Sequence, residues 1–175
     1  KPPGIYPTEI PVNILDDPKR NAEVLVYRAL EKLAEIRCHV FYSCDWVDHR
    51  EDPVPSGDGE ADFIIAHADF GFLAIEVKGG LIGRNGNTGE WYRVKRDGMR
   101  EGIKNPVNQA RTSKHVILDQ LKSGWGSNDF PYIRMKHAVV FPNSDRPALI
   151  DAFGASMPLS MFAFKQDMPD LGGYL

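Results

Sequence analysis

The sequence predicts an α/β domain in which a mixed central β-sheet is flanked by helices, and three observations carry that expectation. The run GEADFIIAHADFGFLAIEVKGG holds two apolar, β-rich segments, 61–67 and 71–78, separated by the turn-forming Asp69-Phe70-Gly71. Two helix-start signatures, Asp16-Asp17-Pro18 and Asn105-Pro106, stand on either side of that run, each opening a stretch of periodic apolar residues. A later apolar run, MKHAVVF at 135–141, reads as a buried strand. At 175 residues the chain is one ordinary domain, and its 42% hydrophobic and 26% charged shares are those of a soluble globular protein. No apolar run approaches the roughly 18 residues of a membrane span, and KPPGIYPTEI is no signal peptide, so a cytoplasmic protein with no membrane partner is the expectation.

Taken in order, residues 1–17 are proline-rich and expected to form an extended arm. An aspartate cap and Pro18 then start a helix expected to reach about Ile36, with Ala22, Leu25, Val26, Ala29, Leu33 and Ile36 as its apolar stripe. Glu31 and Glu35 fall on the far side of that helix, while Glu23 falls at the margin of the stripe, where an acid can reach a site at the sheet edge or simply favour the helix dipole. A strand is expected over 38–44. Its Cys38 and Cys44, six apart on one extended segment, lie beyond the ~7 Å limit for bridging each other and form no zinc signature. The acidic stretch 45–59, with Asp45, Asp48, Glu51, Asp52 and Asp58, lacks the spacing of a calcium loop and reads as a lid or connector. Beyond the central hairpin, Gly79-Gly80 marks a turn, and a strand at 90–95 followed by Arg96-Asp97-Gly98-Met99 suggests a second hairpin. The helix from Asn105-Pro106 is expected to run to Lys122 with Gly124 as its stop, burying Val107, Ala110, Ile117, Leu118 and Leu121, with Gln109 beside that face. Residues 159–164 are a candidate last strand, and 166–175 a tail or the start of a following segment.

Chemistry concentrates on the central hairpin. Side chains alternate along a strand, so Glu76 and Lys78 share one face. Asp62 joins that face if the connection holds an odd number of residues. A carboxylate and an ammonium on a mostly buried strand are costly unless a metal, a phosphate or each other compensates them. Two carboxylates and a lysine so arranged suit metal-dependent phosphodiester cleavage; the competing reading is a solvated edge-strand pair. His67 and His115 have no partner in the sequence that would make either a general base. Charge is uneven: between Arg84 and Lys114 eight basic residues face three acids, against a net −3 for the whole chain. Arg84, Arg93, Lys95, Arg96, Lys104 and Arg111 are accordingly candidate contacts to a phosphate backbone, or else a solvated strand surface.

The order of these pieces resembles the nuclease-related domain (NERD) family of the PD-(D/E)XK nuclease superfamily. The matching features are Glu23 in NAEVLVYRALEKL, Asp62 in GEADF, Glu76 and Lys78 in FLAIEVKGG, then GEWY, and Gln109 in NPVNQA, spanning roughly residues 18–141. The resemblance implies a restriction-endonuclease-like core at 18–165 and cleavage of DNA with Mg²⁺ or Mn²⁺, RNA being left open by the sequence. It implies Asp62 and Glu76 as metal ligands, the Val77 backbone carbonyl and Glu23 as further ones, Lys78 beside the attacking water, and Gln109 positioning water or phosphate. Ser113 stands where related exonucleases often carry a tyrosine, and the resemblance leaves endonuclease and exonuclease both open. It also implies a helicase or other ATPase domain as a fused partner, and the rival reading is a catalytically weak binding module that keeps the nuclease fold.

Overall fold

The computed structural model describes residues 2–34, 38–46, 59–126, 129–147, 153–154 and 156–175. Strands β1 (Gly4–Tyr6), β2 (Cys38–Trp46), β3 (Gly59–His67), β4 (Gly71–Val77), β8 (Met135–Phe141) and β9 (Phe162–Phe164) form one mixed sheet in the order β1-β2-β3-β4-β8-β9. The β2–β3 and β3–β4 pairs are antiparallel; β1–β2, β4–β8 and β8–β9 are parallel. Strands β5 (Leu81–Arg84), β6 (Trp91–Val94) and β7 (Arg100–Ile103) make a separate antiparallel meander. Helices α1 (Val12–Leu15), α2 (Asn21–Ala34), α3 (Pro106–Trp125) and α4 (Leu171–Tyr174) complete the fold. This is the expected α/β architecture, a mixed sheet between helices with a restriction-endonuclease-like core. No helix among the described residues is long and apolar enough to cross a membrane.

Alternation along the strands gives the sheet two apolar faces. Phe63, Ile75, Val77 and Val140 pack with Val26, Tyr27 and Leu30 of α2, while Val139, Phe141 and Phe162 pack with Val107 and Ala110 of α3.

Several elements differ from expectation. The N-terminal segment is extended at 4–6, but as the edge strand of the sheet, and Ile5 and Ile14 are buried in the α2-side core. Asp17 caps as expected, accepting from the Lys19 amide at 2.9 Å, yet the first turn, Pro18–Arg20, is 3₁₀ and regular helix begins at Asn21. The expected end of this helix near Ile36 lies outside the described residues.

The buried face of α2 is also rotated. Leu25 is 37% exposed, whereas Ala22, Val24, Val26, Tyr27 and Leu30 are buried. The reason is tertiary: α2 is covered by the N-terminal segment as well as the sheet, and the Tyr27 hydroxyl donates to the Pro7 carbonyl at 2.7 Å. At about 100° per residue, Glu23 then falls between Leu30 and Tyr27, inside the buried arc rather than at its margin.

Strand β2 continues to Trp46, past the expected end at 44, with its ladder interrupted at Ser43, which adopts a left-handed φ of 54°. Asp45 therefore belongs to β2, and Asp48, Glu51, Asp52 and Asp58 lie outside the described residues. Cys38 is free and buried; the side chain of Cys44 lies outside the description. Helix α3 runs to Trp125 because Gly126, at φ 71°, supplies the left-handed cap that Gly124 was expected to provide. Of its expected buried residues, Val107 and Ala110 are buried, but Ile117, Leu118 and Leu121 are only half-buried, and Ser113 and Val116 take their place. The last strand is Phe162–Phe164, preceded by a 3₁₀ turn at Leu159–Met161. Residues 166–175 fold back rather than trail away: Leu171 of α4 is 1% exposed and joins the α2-side core.

Candidate active site

The connection between β3 and β4 is three residues, 68–70, because His67 pairs with Gly71. That odd length satisfies the condition for bringing Asp62 to Glu76. The ladder is regular to Phe63–Ile75, and continuing it by one residue sets Asp62 opposite Glu76. There the backbone pairing gives way to a side chain: the Val77 amide donates to Asp62 Oδ2 at 2.7 Å. Amide and carbonyl of one residue in an extended strand project to the same edge. The Val77 carbonyl therefore faces the side on which Asp62 sits, while the Lys78 amide turns the other way and donates to the Val140 carbonyl at 3.0 Å.

Glu76 is buried, 3% exposed, and Lys78 Nζ meets its Oε1 at 2.5 Å. Burial pushes the Asp62 carboxyl well above the usual carboxylate range, and the neighbouring Glu76 and, more weakly, Glu23 push it further. The Val77 amide and the Lys78 ammonium oppose that shift without cancelling it. Asp62, Glu76, Glu23 and Lys78 thus form one electrostatic cluster drawn from β3, β4, α2 and the residue after β4.

Glu23 arrives there through close packing. A Cβ built on Gly79 would stand 2.8 Å from Ala22 Cβ, so only glycine lets the start of α2 sit against the strand exit after Lys78. Glu23 accepts from Arg20 Nε and Nη2 at 2.7–3.1 Å and from the Tyr42 hydroxyl at 2.8 Å. The strand exit itself is clamped. Asn143 Oδ1 accepts from the Gly80 amide at 3.1 Å, Ser144 Oγ accepts from the Ile82 amide at 2.9 Å and donates to the Gly80 carbonyl at 3.0 Å, and Arg93 Nε donates to the Gly79 carbonyl at 2.9 Å.

Tyr42, Arg20, Asn143 and Ser144 were not singled out from sequence. The Arg20–Glu23 pair was legible as an i,i+3 ion pair, and Asn143-Ser144 as turn residues closing the 135–141 strand. Tyr42 carried no sequence signal beyond its strand propensity.

Gln109 lies in the first turn of α3, and its Oε1 is buried with no hydrogen-bond partner among the described residues. A buried amide oxygen without a donor is rare enough to require one, and water or a phosphate-bound group would supply it. The candidate phosphate contacts are spread over the meander and α3. Arg84 Nη1 is directed to the Phe153 carbonyl at 3.2 Å, Arg93 to Gly79 as above, and Lys95 pairs with Glu101 at 3.3 Å. Arg96, Lys104 and Arg111 are exposed, Arg111 bonding Asn108 Oδ1 at 2.8 Å.

All the donors at the carboxylate end of the hairpin are hard oxygens, the chemistry Mg²⁺ and Mn²⁺ take. Yet among the described residues no three His, Cys, Asp or Glu side chains converge as a ready ligand set. The hydrogen bonds give the reason: Glu23 is turned to Arg20 and Tyr42, Glu76 to Lys78, and Asp62 to the Val77 amide.

Sheet order, the carboxylate-bearing hairpin and the clamped strand exit define a restriction-endonuclease-like α/β domain. The profile of the nuclease-related domain family matches residues 18–142, and the chain belongs to that family. No curated protein matches the chain, and no solved structure does.

Proposed function

We propose that the chain is a Mg²⁺- or Mn²⁺-dependent nuclease of the PD-(D/E)XK type that hydrolyses phosphodiester bonds of DNA, within a larger nucleic-acid-processing protein carrying a helicase or other ATPase. The observation that supports this most is the approach of Asp62 to Glu76 across the β3–β4 hairpin with Lys78 bonded to Glu76. Asp62 and Glu76 would hold the cation, with the Val77 carbonyl on the same edge and Glu23 adding an oxygen directly or through water. When bound, the cation would supply Lewis acidity, neutralising phosphate charge and lowering the pKa of a coordinated water. Lys78 keeps a point charge beside Glu76, where negative charge develops on the phosphate. Gln109 offers its unpartnered Oε1 to orient the attacking water. Clamping of residues 79–82 by Asn143, Ser144 and Arg93 fixes the strand from which Lys78 projects.

A second reading, a nucleic-acid-binding module with little turnover, is favoured by the separate donors that now hold the three carboxylates. One experiment separates the two. Labelled single-stranded DNA, duplex DNA and RNA are incubated with Mg²⁺, Mn²⁺ or EDTA, using wild type and Asp62→Ala. Metal-dependent products that vanish in the variant support the nuclease; binding without products at saturating Mn²⁺ supports the module.

A further inference from the structure

The register of the large sheet places the carboxylates next to a feature that catalysis does not use. Residues directly opposite one another in neighbouring strands point to the same face. Tyr6, Phe41, Ile64, Ala74 and His137 therefore form one row across five strands, on the face that α3 covers. Asp62 and Glu76 belong to the next row along, two residues or about 7 Å away. Helix α3 packs on β4, β8 and the neighbouring part of β3, which leaves the β1–β2 part of this face without a helix over it among the described residues.

On that open part lie three rings. Tyr6 and Phe41 stand 5.7 Å apart centroid to centroid, Tyr6 and His39 6.4 Å, and His39 and Phe41 6.4 Å, with planes within 24° of parallel. All three are only half-buried. A row of near-parallel aromatic rings left partly in water is unusual for a sheet face unless something stacks on it.

Basic groups lie at the cleft end of the rings and, three strands from Phe41, at the far end of its row. His39 also lines a cleft of about 520 Å³ with Ala66, Phe72, Arg134 and Tyr132, the last 91% exposed. At the other end of the Phe41 row stands His137. Burial lowers the pKa of its imidazole, and so do the adjacent charges of Lys114, Arg111 and His115 on α3, which places four basic groups together beside the row. Asp69 is the one acid lining the cleft among the described residues.

We infer that this open sheet face is a stacking platform for single-stranded nucleic acid, which it delivers to the Asp62–Glu76 row. The inference rests on the proposed nuclease reading and narrows its substrate to a single strand or a frayed end. Rings receive unstacked bases and the flanking cations receive phosphates. A duplex keeps its base faces hidden and gains nothing from the rings. An apolar peptide would use the rings but not the cations.

The test is fluorescence anisotropy of a labelled oligothymidine of about 15 nucleotides, against a duplex of the same length, in EDTA so that nothing is cut. Wild type is compared with Tyr6→Leu, Phe41→Leu and the double variant, which keep apolar bulk; circular dichroism checks folding. His39→Ala serves where a leucine variant fails to fold. Each ring removed should weaken single-strand binding roughly five- to hundredfold and leave duplex affinity unchanged. Unchanged single-strand affinity in the double variant, an equal loss on duplex, or no single-strand binding by wild type overturns the platform. So does a sedimentation result in which the double variant dissociates a wild-type dimer while oligonucleotide affinity is kept, since the face is then a contact between copies. Cleavage with Mn²⁺ is read in parallel. Ring-dependent binding without cleavage supports the platform and removes the nuclease, whereas cleavage without ring-dependent binding does the reverse.

Discussion

Lys78→Met is the most informative single change, because it separates the electrostatic account of the site from a purely catalytic one. Glu76 is fully enclosed, its side chain 5% exposed, and Lys78, 19% exposed, is its counter-ion at 2.5 Å. Removing one partner of a buried pair costs about 3–5 kcal/mol, since the other charge stays buried. Partial exposure of Lys78 places the expected loss at the lower end, about 3 kcal/mol. For a domain of this length each kcal/mol moves Tm by about 2–4 °C, so the variant should melt roughly 6–12 °C below wild type in EDTA. Lys95→Met is the control. Its pair with Glu101 is 3.3 Å long but about half exposed on both sides, and such pairs are worth about 0–1 kcal/mol. Differential scanning calorimetry in EDTA and again in saturating Mg²⁺ provides the assay. On the proposed metal reading, a divalent cation held by Asp62 and Glu76 would replace the missing ammonium, so Mg²⁺ should raise the Tm of Lys78→Met more than that of wild type. If Lys78→Met melted with the Lys95→Met control, or if Mg²⁺ raised both proteins equally, the reasoning about Glu76 would fail.

Asp62→Asn keeps an acceptor for the Val77 amide but removes a carboxylate whose pKa is raised by burial, Glu76 and Glu23. A raised carboxyl contributes stability that is full below its unfolded value of about 3.9 and is lost as pH rises through its folded value. The variant should therefore melt above wild type at neutral pH in EDTA, with the gain shrinking towards pH 4; a constant difference across pH would refute the shift. Arg93→Ala removes a charged hydrogen bond to the Gly79 carbonyl and should cost about 1.5–3 kcal/mol in urea unfolding, whereas Arg96→Ala should leave the midpoint unmoved. If Arg96 touches phosphate, its loss should lower the log–log salt slope on single strands by about 0.7. Gly79→Ala should destabilise by about 1–3 kcal/mol through its 2.8 Å approach to Ala22, and Ala22→Gly should recover most of that in the double variant. Additive losses in that cycle would mean the two residues do not press on each other.

The carboxylate hairpin was legible because everything it needs is local. Alternation fixes which side Glu76 and Lys78 share, and a three-residue connection fixes where Asp62 falls, so a run of seventeen residues contains the whole argument. Glu23 was harder to place. Spacing alone puts Leu25 in its helix stripe, and only the packing of the N-terminal segment onto α2 shows that Tyr27 and Leu30 are buried and Glu23 lies between them. The basic stretch divides once folded: Arg84 and Arg93 each place one donor on a backbone carbonyl, of Phe153 and of Gly79, whereas Arg96, Lys104 and Arg111 stay exposed.

The aromatic row shows where sequence reading stops for a physical reason. His39 and Phe41 alternate along β2, but Tyr6 shares no local period with them, because β1 is joined to β2 in parallel and the residues between them include all of α1 and α2. A slip of one residue in that pairing would send Tyr6 to the opposite face and dissolve the row. Register between distant strands is set by the whole core, here by Ile5 and Val40 entering the α2-side cluster while Tyr6 and Phe41 point the other way. The candidate site residues on the hairpin therefore announce themselves through local spacing, whereas a surface that would choose between single and double strands exists only once the sheet is assembled.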